Sequence, residues 1–425
     1  MKKTFSLLLG LAIVLTFTSA VVAQDEANVS ILAGEWWFAE DVEETPNAPQ
    51  GYTLMQTYMQ EHPNVTFDIR GVPFAELDSS QIAAMEAGQG PDILIVNSVT
   101  VGSFIDRGYL LPLDDLIAET ELDTGVFYEG LLGAAVIDGT TYGLPIDTGT
   151  RVLFTNNALF EQAGVEPPTR WDQVIDVAAQ MTDADASVYG FVATSGERWL
   201  WLYEHAGMYA NANGLQILND NATECVLNQG DNTQIIQFWV DLANTGALNT
   251  DDLMIGTGAE RELAFGNNRA AMYLGGFWSA NTLADEYGME YPADYSIVPL
   301  EGAAGTGSAT GGWIIGVSRD ADNPEAAVEF IKYLLTDGEN LAAFTDLMPS
   351  TEAAAAIDPV GEFYEPFKAL LSANTFHPIP LNPGLPEQAE ILRNVTQSAI
   401  LGDMTAQEAA DSFCEQVVGT LREGG

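Results

Sequence analysis

Five segments, alternately strand-like and helix-like, lie between residues 27 and 96. Alternating apolar residues predict strands at ANVSILAG (27–34) and VTFDIRGV (65–72), and the continuous apolar run of PDILIV (91–96) predicts a strand buried on both faces. Apolar residues at helical spacing predict helices over 51–63 and 74–90. This β-α-β-α-β order predicts a parallel, doubly wound layer with helices on both sides.

The same alternation resumes after Tyr142, and the chain of 425 residues exceeds the length at which one hydrophobic core stops growing. Strand patterns recur at 151–156, 269–276 and 294–300, helix patterns recur at 167–181, 233–247 and 323–339, and the chain is mostly helical beyond Pro349. No low-complexity linker separates the two halves. The sequence therefore predicts two α/β domains joined by several stiff crossings.

The first 23 residues have the composition of a secretory signal. Lys2 and Lys3 precede an apolar run, and small residues lie before a polar, acidic stretch, so we expect cleavage after Ala23. A membrane anchor, the alternative, needs a run of about 20 apolar residues. We expect a secreted protein, periplasmic or associated with the cell surface, and no cysteine lies near the cleavage region for lipid attachment.

The charge balance limits the partners. The formal net charge is −47, so nucleic acid and anionic lipid surfaces are repelled. Three scattered histidines and two cysteines form no metal-ligand spacing, and we predict neither a metal nor a cofactor. Export permits Cys225 and Cys414 to pair, but the sequence leaves open whether they approach closely enough to do so.

Several segments, in this order, carry a family resemblance: AAMEAGQGPDILIV (83–96), TYGLPIDTGTRVLFTNNALFEQAGVEPPTRWDQ (141–173), AAMYLGGFWS (270–279) and TGGWIIGVSRDADNPEAAVEFIKYLL (310–335). The chain resembles the extracellular solute-binding proteins of ATP-driven importers, in the carbohydrate-binding group that includes maltose-binding proteins. The resemblance covers nearly the whole chain after the signal. It departs in one respect, because many relatives carry a lipid-modified cysteine that is missing here.

The resemblance implies two doubly wound α/β lobes joined by hinge crossovers, a periplasmic-binding-protein-like fold of type II with a mostly helical C-terminal part. Carried onto this sequence, it implies an N-terminal lobe of residues 24–148 plus 300–348. The C-terminal lobe is then formed by residues 149–299 plus 349–425. The crossings are expected near 147–149, 296–300 and 347–350. Ligand would lie in the cleft between the lobes.

The candidate ligand-binding residues of the first lobe follow from strand ends, because ligands bind beyond the carboxyl ends of the strands in an α/β layer. Aromatic faces cover the C–H patches of a sugar ring, and carboxylates and amides bond its hydroxyls. Two adjacent tryptophans cannot both enter one core if their segment is a strand. The candidates are Glu35, Trp36, Trp37, Gln81, Asn97 and Ser98, and which tryptophan faces the ligand stays open.

The second lobe and the crossings supply the remaining candidates. Trp199 and Trp201 do not share a helix face, so only one of them needs to reach the cleft, and Trp199 is favoured. Glycines next to aromatic residues permit close approach of the backbone to a ligand. Asp147 and Arg151 either pair across the hinge or bind ligand. The full set is Asp147, Arg151, Trp199, Trp278, Gly311, Gly312 and Trp313.

The predicted function is capture of a sugar or oligosaccharide by hinge closure and its delivery to a membrane permease of an ABC transporter, with the protein a monomer. One alternative is a non-sugar solute such as a polyamine, polyol or peptide, because the acidity also suits cations. A secreted glycoside hydrolase is the other alternative. Its chemistry needs two carboxylates close together, but among 61 acidic residues such a pair can be found almost anywhere, so its presence says little. No nucleophile elbow or HExxH motif occurs, so we predict that the protein is not an enzyme.

Overall fold

Two β-sheets, each with its own hydrophobic core, organise the chain. The computed structural model describes residues 26–40, 49–196, 198–250, 256, 258–309, 311–345, 347–357, 366–367, 370 and 382–421. The predicted signal lies outside these residues. We call the part around the first sheet the first lobe and the part around the second sheet the second lobe.

The strands are β1 (Ala27–Gly34), β2 (Val65–Val72), β3 (Ile93–Asn97), β4 (Val136–Ile137), β5 (Thr140–Thr141), β6 (Leu144–Pro145), β7 (Asp147–Thr148), β8 (Arg151–Asn156), β9 (Met272–Gly276), β10 (Tyr295–Val298), β11 (Glu301–Gly302), β12 (Gly305–Thr306), β13 (Trp313–Val317) and β14 (Met348–Pro349).

The α-helices are α1 (Gly51–Glu61), α2 (Leu77–Glu86), α3 (Val101–Asp106), α4 (Asp114–Glu119), α5 (Glu129–Leu132), α6 (Asn157–Ala163), α7 (Trp171–Met181), α8 (Arg198–Leu200), α9 (Met208–Asn213), α10 (Gln234–Asn244), α11 (Gly258–Gly266), α12 (Phe277–Tyr287), α13 (Pro324–Thr336), α14 (Gly338–Phe344), α15 (Glu352–Ala355), α16 (Leu385–Ile400) and α17 (Ala406–Gln416). A π-helix, Trp201–Gly207, joins α8 to α9. Within the described residues, none of the helices has both the length and the apolar composition needed to cross a bilayer.

The first sheet has the strand order β2-β1-β3-β13-β6. The predicted parallel layer forms, because β1 pairs in parallel with both β2 and β3. Strand β13 joins it from far along the chain and runs antiparallel to β3. All four apolar residues of β3, Ile93 to Val96, are fully buried, as predicted for a strand covered on both faces.

The second sheet is antiparallel, with the order β10-β8-β9. Its core includes the fully buried Trp201 and Trp239 and extends onto α16 and α17, so the C-terminal helices belong to the second lobe. Cys225 and Cys414 form a disulfide with 5.3 Å between their Cα atoms, which answers the question that the sequence left open.

The chain crosses between the lobes at a hinge built from short strands. The first crossing follows β7, and Gly149 there bridges to Gly311. Residues 300–309 stay with the second lobe, because Leu300 and Ala309 lie in its core. The return to the first lobe therefore falls between Ala309 and Gly311, later than the expected 296–300.

The third crossing also comes later than expected. Strand β14 pairs with β7 in the hinge, but the chain then continues along the first lobe. Thr351 bridges to Phe127, and Ala354 lies in the first core. Phe367 lies in a core cluster with residues of β8 and β9, so the chain changes lobes between residues 357 and 366. With these shifts, the division of the chain into two domains stays a prediction.

Candidate ligand-binding cleft

A cavity of about 360 Å³ lies between the two lobes. Its volume is at the lower end of the range for small-molecule sites. The first lobe contributes Phe74, Leu77, Asp78, Ser79, Asn97 and Trp313, and the second lobe contributes Gly196, Arg198, Trp199, Glu390 and Arg393. We call this space the cleft. A ligand in it would contact both lobes.

A larger cavity, of about 670 Å³, lies inside the second lobe between α9, α16 and α17. Its lining is more apolar than polar, with Leu215, Leu218 and Leu392 among its residues, and none of the predicted site residues contributes to it. We take the smaller cleft as the candidate site, because both lobes line it and three of the predicted residues, Asn97, Trp199 and Trp313, lie there.

The two adjacent tryptophans occupy different environments. Trp37 is fully buried, with its ring centroid 4.8 Å from that of Phe344. Trp36 is partly exposed, and its ring lies 5.5 Å from Trp313 and 6.1 Å from Phe74. Trp36 therefore supports two aromatic rings that line the cleft. Trp37 belongs to the core, so its prediction as a ligand contact is wrong.

This separation follows from the local backbone. The segment Glu35–Phe38 is a 3-10 helix that begins directly after β1, not an extension of the strand. Successive side chains in such a helix diverge by about a third of a turn instead of alternating between two faces. Glu35 is exposed on this turn and is not among the residues that line the cleft.

Gln81 holds the first sheet together. Its side chain is completely buried, and its Nε2 donates hydrogen bonds to the carbonyl oxygens of Leu32 (3.1 Å) and Ile95 (2.8 Å). These contacts tie α2 to β1 and β3. Because both amide hydrogens are used and the side chain is sealed from the cleft, Gln81 is a framework residue and not a ligand contact.

The two polar residues at the end of β3 have different roles. Asn97 lines the cleft, and its Oδ1 accepts a hydrogen bond from the backbone of Val99 at 3.0 Å. Ser98 lies in the hinge, where its Oγ accepts from the backbone N–H of Gly312 at 3.0 Å. Burial raises the pKa of Tyr203, and the side chain of Ser98, from the other lobe, offsets part of that effect.

Asp147 is also a hinge residue. Its Oδ1 accepts from the backbone N–H of Trp313 at 3.0 Å, and its Oδ2 accepts from the Thr345 hydroxyl at 2.6 Å. Gly312 passes so close that an added Cβ would lie 2.2 Å from the Asp147 carbonyl oxygen. The carboxylate is buried and satisfied by protein, so it fixes the hinge strands and does not bind ligand.

Arg151 is enclosed by aromatic rings. Its guanidinium carbon lies 4.9 Å from the centroid of the Tyr203 ring and 5.0 Å from that of Trp278, and it donates to the Gly149 carbonyl oxygen. Burial lowers the pKa of Arg151. Trp278 thus covers a hinge cation, and it is not among the residues lining the cleft. Gly311 packs against Tyr203, with 3.2 Å from an added Cβ to the ring.

The two tryptophans of GERWLWLYEHAG lie in different places, one lining the cleft and the other in the core. Trp199 is partly exposed and lines the cleft, and the Arg198 guanidinium lies 4.4 Å from its ring centroid. Trp201 is fully buried, stacked on His205 with centroids 4.7 Å apart. Trp199 can therefore offer a flat face to a ligand, and Trp201 cannot.

Four charged side chains line the cleft, two of them acidic and two basic. Asp78 and Arg198 come from different lobes and attract each other. Burial raises the pKa of Asp78, and the Arg198 charge and a hydrogen bond from Thr100 offset part of that effect. Glu390 and Arg393 form an ion pair one turn apart on α16.

Sequence reasoning missed Phe74, Asp78, Ser79, Glu390 and Arg393. A signal existed for the first three, because they follow the carboxyl end of β2, and the same rule had selected the residues after β1 and β3. Nothing local marked Glu390 and Arg393. They reach the cleft because α16 docks on the second lobe, which the sequence does not reveal.

The cleft offers aromatic faces, an amide, a hydroxyl and balanced charges, which suit a polar, largely uncharged guest. Across the described residues, no group of histidine, cysteine or acidic side chains could hold a metal ion. The family model for bacterial extracellular solute-binding proteins matches residues 38–341. The chain belongs to this family. The predicted resemblance is thereby confirmed, and the fold is that of its solved members.

Individual solute-binding proteins show the same similarity. A Brucella abortus protein named only as a binding protein is 26% identical over 94% of each chain. The sn-glycerol-3-phosphate-binding periplasmic protein of Pectobacterium atrosepticum is 26% identical over 87% of each chain. An ABC transporter solute-binding protein of Thermotoga lettingae, solved with α-D-tagatose, has a TM-score of 0.76 at 23% identity, covering 93% of this chain and 100% of that one.

Proposed function

We propose that this solute-binding protein captures a neutral sugar or polyol in the cleft and presents it to the permease of an ABC importer. The observation that carries the proposal is the lining of the cleft, where Trp199 and Trp313 from opposite lobes accompany Asn97 and Ser79. Aromatic faces stack on sugar C–H surface, and the amide and hydroxyl bond its hydroxyl groups. The tagatose complex of the Thermotoga protein supports this ligand class.

A phosphorylated polyol is the second candidate, because the Pectobacterium relative is named for sn-glycerol 3-phosphate. Arg198 and Arg393 are the cations that could receive a phosphate in the cleft. Each already has an acidic neighbour, which favours the neutral ligand. Catalysis is not part of the proposal, since the family and the solved relatives are transport proteins.

Binding would close the lobes about the hinge, and only ligand contacts that exist in the closed form can drive that closure. The closed form would then dock on the permease. We also infer that residues 1–23 are removed on export and that the mature protein is extracytoplasmic, which N-terminal sequencing of the exported protein checks.

Titration of tryptophan fluorescence and calorimetry with tagatose, ribitol, maltose and spermidine test the proposal. We expect saturable binding of at least one neutral solute and no response to spermidine. Trp199→Ala should weaken that binding at least tenfold, which is about 1.4 kcal/mol, because it removes the stacking face. Its melting temperature should change little, since Trp199 lies at the cleft surface.

Tyr209→Ala is the matched control, because Tyr209 is a partly buried aromatic residue of the second lobe that packs on Trp171 and does not line the cleft. It should lower stability and leave affinity unchanged. Binding of spermidine alone, or equal effects of the two substitutions on affinity, would refute the proposal.

A further inference from the structure

A second cavity lies in the second lobe, apart from the cleft. This space of about 670 Å³ between α9, α16 and α17 shares no lining residue with the cleft. Its volume falls within the range for small-molecule sites, whereas packed protein interiors seldom leave a void much larger than a water molecule. We call it the lobe cavity. Side chains that served stability alone would fill such a space.

The disulfide fixes two walls of the lobe cavity. Leu218 lies on one wall and bridges to Cys225, and Phe413 lies on another wall, next to Cys414 in α17. The bond between Cys225 and Cys414 therefore sets the distance between these walls. A wall that is already in place spares a ligand the cost of ordering it.

The lining predicts an apolar body for the ligand. Leu385, Leu392 and Phe413 are buried residues of the lining, and Leu215 and Ile217 are partly buried. Apolar surface of this kind favours an alkyl chain that leaves water. Phe413 is the single aromatic ring among the described residues of the lining, so the lobe cavity offers little of the flat stacking surface that a sugar needs.

One polar group of the lining needs a hydrogen-bond donor. Gln388 lines the lobe cavity and is 2% exposed, and its Nε2 donates to the carbonyl oxygen (3.1 Å) and the hydroxyl (3.0 Å) of Thr420. Because that carbonyl can only accept, the orientation of the amide is fixed. Within the described residues, Gln388 Oε1 has no hydrogen-bond partner. A buried acceptor in this state is unfavourable, and a ligand hydroxyl would satisfy it.

The charges of the lining disfavour an ionised head group. Among the described residues of the lining, the one charged side chain is Asp220, which is exposed and accepts from Gln216 Nε2 at 2.7 Å. A carboxylate or phosphate beside Gln388 would lose its hydration without meeting a cation, in a protein whose net charge is −47. An ammonium group there would equally lack a buried counter-charge from the described lining. A neutral hydroxyl avoids both costs.

We propose that the lobe cavity is a second binding site, which takes a neutral amphiphile with an alkyl chain and a hydroxyl head. The chain packs on the leucine side chains and Phe413, and the hydroxyl donates to Gln388 Oε1. The site goes beyond the proposed function, because it shares no lining residue with the cleft and takes a different class of ligand.

Calorimetry and thermal unfolding with three probes test the site. The probes are 1-octanol, its isomer 1-methoxyheptane, which has no donor, and octanoate, which is charged. We expect 1-octanol to bind saturably and to raise the melting temperature. It should bind about fivefold tighter than 1-methoxyheptane, as one hydrogen bond predicts, and tighter than octanoate. Gln388→Met keeps the length of the side chain and removes the acceptor, so the two neutral isomers should bind it equally.

A substitution that fills the lobe cavity tests its location. Leu215→Trp introduces an indole from a partly exposed position and should weaken 1-octanol binding about tenfold, because the ring takes the space of the alkyl chain. Leu159→Trp is the matched control, since Leu159 is a partly buried leucine on α6 of the second lobe that does not line the cavity. It should leave 1-octanol binding unchanged, and so should Trp199→Ala in the cleft.

Several outcomes would overturn the proposal. They are absence of 1-octanol binding while circular dichroism shows the protein folded, equal weakening by Leu215→Trp and Leu159→Trp, and loss of 1-octanol binding in Trp199→Ala. Octanoate binding tighter than 1-octanol, or a preference between the isomers that persists in Gln388→Met, would overturn the ligand class. Absence of binding to every neutral sugar or polyol would refute the proposed function alone, because the 1-octanol measurement does not depend on the cleft.

Discussion

Gln81 and Trp199 show what separates a framework residue from a ligand contact at the scale of single side chains. Both were chosen from sequence for their chemistry, and only burial distinguishes them, since Gln81 is sealed between strands and Trp199 stays open to the cleft. Residue type predicts which chemistry is available. It does not predict whether protein atoms use that chemistry first, as they do at Asp147.

His205 gives a prediction at the same scale. It is fully buried between Trp201 and Trp239, its Nδ1–H donates to the Leu200 carbonyl oxygen at 3.1 Å, and burial lowers its pKa to about 3. The unfolded chain binds the proton below about pH 6.5, whereas the folded protein does not. The stability that His205 supplies is therefore complete above pH 6.5 and is lost as the pH falls toward 3.

The measurement is urea unfolding at pH 7 and pH 5 for the unsubstituted protein and for His205→Gln, which keeps a donor for Leu200. Between pH 7 and pH 5, the unfolding free energy of the unsubstituted protein should fall by about 2 kcal/mol more than that of the variant, because the folded state keeps the His205 ring neutral. Comparing the two proteins cancels the titration of the many carboxylates. Parallel pH profiles would contradict the assignment.

At the scale of elements, periodicity predicted the strands and helices of both lobes well, because each is amphipathic or fully apolar over its own length. The hinge strands β7 and β14 have two residues each, too short for any period, and the second and third crossings were placed too early. Helix α16 lies in the region beyond Pro349 that was predicted to be mostly helical, but its part in the cleft depends on which lobe it packs against.

The disulfide stabilises the packing of elements in the second lobe, because it links α17 to the segment around Cys225, 189 residues earlier in the sequence. Replacing both cysteines with serine should lower the unfolding free energy by about 2–4 kcal/mol, since the unfolded chain gains freedom. Ligand affinity should be unchanged, because neither cysteine lines the cleft. Urea unfolding and calorimetry on one preparation check both, with the reduced unsubstituted protein as control, and a parallel loss of affinity would contradict the prediction.

For the whole molecule, the sequence predicted two lobes and a ligand site between them, largely through the order of several weak motifs. It could not predict how the lobes contact each other, because such contacts join residues that no local pattern relates. Ser98 was predicted as a ligand contact from its position after β3. Its hydroxyl instead accepts a hydrogen bond from the Gly312 backbone in the hinge.

Ser98 and Tyr203 come from different lobes and interact electrostatically, and we predict that a hydrogen bond between their hydroxyls favours closure. Burial raises the pKa of Tyr203 to about 12, so its hydroxyl stays protonated throughout the physiological range. Tyr203→Phe removes the bond and keeps the ring on Arg151, and a hydrogen bond of this kind contributes about 1 kcal/mol. The equilibrium should move toward the open form about fivefold, and apparent ligand affinity should fall by up to the same factor. Small-angle scattering without ligand should show a larger radius of gyration, and Tyr209→Phe, whose ring packs within the second lobe, should change neither quantity. Unchanged affinity and radius in Tyr203→Phe would mean that the Tyr203 hydroxyl does not join the lobes.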